Sequence, residues 1–368
     1  MSAQPAPRFA DDRVAHAVAA LRAGRPVLVG GGTEYDVVLP AALAEPRWTA
    51  WTVRHTSGIL CAPLPAERAG ALGLPPMVQD NQDPRSPRHT VSVDAAHGIT
   101  TGISATDRAR TARVLADPAS GPADLIRPGH LLPLRVHANG VVVRPEHAEA
   151  GVDLCRLAGL PPVALTARLV GDGVGTAGDE DAALLAARHD LPVLHIPELV
   201  EHRLRFGDGE RGRVTRVTNA RLPTVHGQLD AVGYRDEVTG AEHIALVGRP
   251  RTSVPLVAVH AECVTGDIFK TTHCDCARRF AESAAIIADE GGVLVYLRRP
   301  GARVLGALDG HDWTTADDGA AGAIVADLGY RSVRLLTGPT AAPQLARPGL
   351  TVLAVQHRAA SLAWSNFG

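Results

Sequence analysis

The sequence predicts an α/β protein of two domains. Three observations carry this: a length of 368 residues, which exceeds what one core usually spans; strand and helix signals that alternate along the chain; and a polar, charged, glycine-containing break at 207–212. The break gives a first domain over 1–206 and a second over 213–368.

The elements follow in order. From Asp12 to Ala23 apolar residues recur at helical spacing, and Gly24 stops that helix before a short apolar strand at Pro26 to Val29. Gly30, Gly31 and Gly32 read as a flexible loop before a second strand at Val37 to Leu39. Further strands are expected at Val91 to Val93 and Leu131 to Val136, with helices at Asp107 to Leu115 and Glu149 to Leu157. The second half restarts with strands at Val214 to Asn219, Gln228 to Tyr234, His243 to Val247 and Val254 to Val259. A helix at Arg278 to Asp289 leads into a strand at Val293 to Leu297. A helix at Ala320 to Leu328 and strands at Ser332 to Leu336 and Thr351 to Val355 complete the reading.

Composition narrows the function classes. Apolar residues make up 45% and charged residues 21%, enough burial for ordered cores. A net charge of -2 leaves no basic excess for a nucleic-acid backbone or an anionic membrane, so neither is an expected partner. No apolar run reaches spanning length, and Met1 to Pro7 lacks the basic-then-apolar order of a secretory signal, so a cytoplasmic protein is expected. Five cysteines, an odd number, do not make a disulfide scaffold.

Three of those cysteines crowd together as Cys263, Cys274 and Cys276, a C-x10-C-x-C pattern. Thiolates at that spacing suit a soft tetrahedral cation, zinc first, and three protein ligands leave one position for water. The plainer alternative is three reduced cysteines packed as small apolar groups. The surrounding words, His260-Ala-Glu-Cys-Val-Thr-Gly-Asp267 and His273-Cys-Asp-Cys276, closely resemble the zinc site of GTP cyclohydrolase II. The resemblance runs from about Leu222 to Gly349 and implies a zinc-activated water. It also departs from the family in several places. Arg299, Pro300, Gly301 and Ala302 stand where the family carries Gln-Glu-Gly-Arg, and little chain lies between Gly306 and Trp313. Thr314, Thr315 and Ala316 stand where it carries the Asp-x-Arg pair. Ala258 replaces an arginine, and Ala341 or Ala342 a lysine. These departures predict a zinc domain that does not hydrolyse GTP.

The first half resembles 3,4-dihydroxy-2-butanone 4-phosphate synthase across 12–204. The words that carry this are Arg54-His-Thr-Ser-Gly-Ile-Leu-Cys61, Leu74-Pro-Pro-Met-Val78, Thr100-Thr-Gly-Ile-Ser-Ala-Thr-Asp-Arg108 and Arg127-Pro-Gly-His130. The resemblance implies a ribulose 5-phosphate-like substrate and a magnesium or manganese ion. By it, His147 is the metal histidine, His130 a catalytic histidine, Arg144 the phosphate contact and Asp36 the substrate-contacting acid. Glu34 matches the last glutamate of a family loop that is shortened here to Gly30-Gly-Gly-Thr-Glu-Tyr-Asp36, and it is expected to reach the metal instead. The family's catalytic glutamate falls on Ala167 beside Arg168, and a threonine falls on Ala148. Arg168 is therefore expected to bind a second anionic group of a changed substrate. Without the resemblance, His130 and His147 would read as ordinary hydrogen-bonded histidines, and Glu34 and Asp36 as turn residues.

The leading expectation is thus a metal-dependent sugar-phosphate lyase or rearrangement domain fused to a zinc domain inactive on GTP. The alternatives are a non-catalytic dimeric scaffold or regulator, and the standard bifunctional enzyme. The resemblance also implies a homodimer.

Overall fold

A computed structural model describes residues 8–82, 88–171, 175–207, 213–249, 251–298, 315–337, 345 and 350–357. The chain divides into two compact units, the first running through Arg203 and the second starting at Leu204. The division falls within a helix, a few residues before the expected linker, of which 208–212 lie outside the described residues.

The first unit contains α1 (Arg8–Arg22), β1 (Val27–Gly31), β2 (Glu34–Pro40), α2 (Pro46–His55), β3 (Cys61–Pro65), α3 (Ala66–Ala71), β4 (Arg88–His89) and β5 (Val93–Ala95). It continues with α4 (Ala105–Ala116), β6 (Leu125–Val136), α5 (His147–Leu157), β7 (Ala164–Arg168), α6 (Asp179–His189), β8 (Val193–His195) and α7 (Ile196–Phe206), which crosses the division. Its sheet runs β4-β6-β3-β7-β2-β1-β8, with β5 paired to β6. One apolar cluster joins α1 and α5 to Val27, Val29 and Val38 of the sheet; another joins α4 to Leu39, Leu64 and Leu165. The sheet is therefore covered on both faces. Near-continuous apolar runs such as 27–29 follow from that double burial. Helix α4 starts at Ser104, whose hydroxyl accepts the Asp107 N–H at 3.1 Å, satisfying a donor that the first turn leaves unpaired.

The glycine run departs from expectation. Gly30 and Gly31 belong to β1, and the register Gly31↔Glu34 leaves only Gly32 and Thr33 as the turn of a tight hairpin. Gly32 has φ 64°, a conformation that favours glycine at the first turn position. Glu34 is thus fixed in a strand.

The second unit contains β9 (Val214–Thr224), β10 (Gly227–Asp236), β11 (Glu242–Gly248), β12 (Leu256–Ala261), α8 (Val264–Asp267) and α9 (Cys276–Glu290). Then follow β13 (Gly292–Leu297), α10 (Thr315–Asp327), β14 (Ser332–Thr337) and β15 (Thr351–His357). The sheet order is β15-β14-β12-β13-β11-β10-β9. Strands β12 and β13, β12 and β14, and β14 and β15 pair in parallel, whereas β9, β10, β11 and β13 pair antiparallel. Ala284 and Ile287 of α9 cover one face, and Ala320 and Ile324 of α10 cover the other. No helix among the described residues is long and apolar enough to cross a membrane.

A buried ion pair ties the antiparallel end of this sheet together. Arg213 Nη2 lies 2.8 Å from Asp236 Oδ2, and both side chains are fully buried. Asp236 also accepts the Val238 N–H at 2.9 Å and the Thr239 hydroxyl at 2.9 Å, closing the turn between β10 and β11. Burial pushes the Asp236 carboxyl up, but His243, Arg213 and the Val238 N–H outweigh it and bring the pKa down to about 2. Its folded pKa lies below its unfolded value, so the stabilisation is complete above the unfolded value and fades as pH falls through about 2. Asp236→Ala removes the carboxylate of a buried ion pair and is expected to cost about 3–5 kcal/mol in urea unfolding at neutral pH. An unchanged urea midpoint would exclude this role.

Candidate functional site

The second unit brings the three cysteines together. Strand β12 ends at Ala261, so Cys263 falls at the carboxyl end of a parallel strand, where open α/β sheets place their ligands. Cys263 caps α8, its sulfur accepting the Gly266 N–H at 3.3 Å, and Cys276 opens α9. The Cys263 and Cys274 sulfurs are 3.8 Å apart, and all three sulfurs lie within 4.8 Å of one another. Burial pushes the Cys276 thiol up to about 12. Burial also opposes ionisation of Cys263, but the Thr265 hydroxyl and the Gly266 N–H outweigh it and hold that thiol below its ordinary value.

Gly266 makes this convergence possible. A Cβ on Gly266 would stand 2.8 Å from the Cys274 sulfur, 2.8 Å from Cys276 Cβ and 3.1 Å from the Cys263 sulfur. Only a residue without a side chain leaves room for three sulfurs to close on one point. Three soft donors around such a cradle fit zinc.

Asp267 anchors the ligand turn. It accepts the Cys263 N–H at 2.9 Å and the Tyr296 hydroxyl at 3.0 Å, and its oxygens lie 2.9 and 3.0 Å from His260 Nε2. Burial opposes the Asp267 charge, but His260 and the Cys263 N–H outweigh it and keep the carboxyl below its ordinary pKa. The His260 ring stacks on Tyr296 with centroids 5.5 Å apart. In the sequence His260 and Asp267 stand only as words of the motif; their contact with Tyr296 depends on β12 lying beside β13. Ala258 is fully buried in the core beneath α9. Residues 299–302, 306–313, Thr314, Ala341 and Ala342 lie outside the described residues, as do the side chains of Thr315 and Ala316.

In the first unit a cavity of about 510 Å³ is lined by Glu34, Asp36, Arg144, His147 and Arg168, among others. Five of the expected residues therefore converge. His130 does not line this cavity; its Nδ1 lies 2.6 Å from Asp94, whose carboxylate also accepts the His130 N–H at 3.0 Å. Asp94 was not legible as a partner because β5 and β6 meet through an irregular register. Cys61 also lines the cavity, and burial together with the Asp36 charge pushes its thiol up to about 12. Glu149 is a further missed lining residue. It is almost fully buried, accepts the His137 N–H at 3.1 Å and lies 3.8 Å from Arg144, and burial pushes its carboxyl up.

The acids are arranged differently from expectation. Arg168 stands directly opposite Asp36 in the β2–β7 pair, and its Nε donates to Asp36 Oδ1 at 2.5 Å. Its Nη1 is bonded to Glu34 Oε2, and the other Glu34 oxygen faces the Thr176 hydroxyl at 3.4 Å. His147 Nε2 meets the Glu34 carbonyl oxygen at 3.3 Å, not its carboxylate. A divalent ion shared by Glu34 and His147 does not fit this arrangement, because the carboxylate it needs is already held by a guanidinium.

Residues 15–202 match the family model of 3,4-dihydroxy-2-butanone 4-phosphate synthase, and residues 215–357 match that of GTP cyclohydrolase II. Both are families of metal-dependent enzymes. The chain is 42% identical over 370 residues to the riboflavin biosynthesis protein RibBA of Salinispora arenicola, covering 92% of this chain and 87% of that one. It is 39% identical over 375 residues to RibBA of Nocardia farcinica, covering 93% and 89%. Among solved structures, RibBX, a two-domain 3,4-dihydroxy-2-butanone 4-phosphate synthase from A. baumannii, matches with a TM-score of 0.65 at 28% identity, over 94% of this chain and 98% of that one. Two family models in this order, with relatives alike across both halves, place the chain in the bifunctional riboflavin-biosynthesis family that joins 3,4-dihydroxy-2-butanone 4-phosphate synthase to GTP cyclohydrolase II.

Proposed function

We propose that the chain is a riboflavin-biosynthesis-type enzyme whose second domain holds zinc on Cys263, Cys274 and Cys276 and whose first domain takes a phosphorylated keto-sugar. The convergence of three sulfurs around the Gly266 cradle is the observation that carries this reading. A zinc ion there would supply an acidified water for attack on a carbon centre. Asp267 fixes the Cys263 backbone and holds the His260 ring in place, so His260 is poised to exchange a proton with a bound ligand. In the first domain Arg144 offers its guanidinium to the phosphate, and Asp36, Arg168 and Glu149 supply the polar wall for the sugar oxygens.

Likeness to RibBA relatives across both halves supports the standard pair of reactions, formate release from ribulose 5-phosphate and from GTP, better than loss of the second. A second reading, a first domain acting on a different anionic keto-sugar, is favoured by one observation: Arg168 is paired with both Glu34 and Asp36. The proposal includes a homodimer, because the family's first-domain sites lie near a subunit interface and His130 does not line the cavity of its own chain.

Two assays test this. Formate release measured separately with ribulose 5-phosphate and with GTP is expected for both substrates under the standard reading; turnover of neither would sink it. Arg144→Ala is expected to raise KM for the sugar phosphate about 10- to 100-fold, in line with a lost charge-assisted contact of about 1.5–3 kcal/mol. Metal analysis of the purified chain is expected to give one zinc per chain, and Gly266→Ala is expected to lose it while the first domain keeps its thermal transition. Zinc retained by Gly266→Ala would refute the cradle.

A further inference from the structure

In the first-domain cavity the family assignment leaves open what supplies positive charge beside Glu34 and Asp36. We propose that Arg168 takes the place of the divalent cation there, so that this site is closed to metal. The inference rests on the reading that the cavity takes a phosphorylated sugar, but not on which one.

Three observations carry it. First, the placement is built into the sheet. Asp36 and Arg168 are direct partners across β2 and β7, and Glu34 lies two residues before Asp36 on the same face of β2. One planar guanidinium reaches both carboxylates from that position, through Nε to Asp36 and Nη1 to Glu34, and Nη2 is left over for a ligand oxygen.

Second, the described residues of the cavity do not bring three donors onto one point. Gly31 and Gly32 occupy the hairpin where a carboxylate would have to face His147. A Cβ on Gly31 would lie 2.8 Å from His147 Cε1 and 3.1 Å from Nε2, so the ring is packed against bare backbone. Among the described residues the cysteine cluster of the second domain is the only group of three or more His, Cys, Asp or Glu donors close enough to share an ion.

Third, the guanidinium is a lasting cation. An arginine side chain stays protonated at any pH a protein meets, and both Asp36 and Glu34 are bonded to this one. A second cation brought among the same acids would meet repulsion at short range in a half-buried cavity, where salt screens poorly.

The test is a titration of the zinc-loaded full chain with Mn2+, followed by electron paramagnetic resonance. The wild type is expected to show no bound Mn2+ dependent on His147. Arg168→Gln, which frees both acids, is expected to bind Mn2+ about 10- to 100-fold more tightly than the wild type, and Arg168→Gln with His147→Ala to lose that gain. Wild-type Mn2+ binding at one ion per chain that disappears in His147→Ala would overturn the proposal, whatever the folding of the Arg168 variants. Thermal shift with ribulose 5-phosphate separates the two levels. Equal stabilisation of the wild type in magnesium buffer and in metal-depleted buffer supports the proposal, and stabilisation that needs magnesium overturns it. If no sugar phosphate stabilises the chain in either buffer, the sugar-phosphate reading falls while the Mn2+ titration still decides the role of Arg168.

Discussion

Strand register is the constraint on which both sites depend. In the first domain the pairing of β2 with β7 puts Asp36 opposite Arg168, and a slip of one residue would turn either side chain to the other face of the sheet. In the second domain the parallel alignment of β12 with β13 brings His260 level with Tyr296 and leaves the ligand turn at the strand end. The helices on both faces of each sheet hold these registers by burial. The reactive groups themselves contribute little to that burial and are positioned by it.

The two sites were legible to different degrees, for a physical reason. The three clustered cysteines lie within fourteen residues of one another and are gathered by one short turn and a helix start, so local spacing carried most of the information. Arg168 and Glu34 are separated by 134 positions, and only sheet register reveals that they are bonded. The expectation that Glu34 would swing toward a metal assumed a loop; a two-residue turn removes that freedom.

The same contrast holds for the fold. Helix α9 and strand β13 were visible because their apolar periods are regular and Gly291 stops the helix between them. Strand β3 was not, because Pro63 and Pro65 read as breakers although the segment lies between β6 and β7. Helix α6 is short and rich in charge, and much of it is exposed, so its apolar stripe is weak.

The turn between β1 and β2 bears on how this family diversifies. A hairpin of two residues is a point at which chain can be inserted without disturbing the ladder on either side, since its ends already meet. Grafting a longer acidic segment there, together with exchange of one arginine, is a short route from a cavity with a built-in counter-charge to one that recruits its ion from solution. Loop length and a single distant strand residue would then have to change together, a coupling that comparison among related genomes can trace.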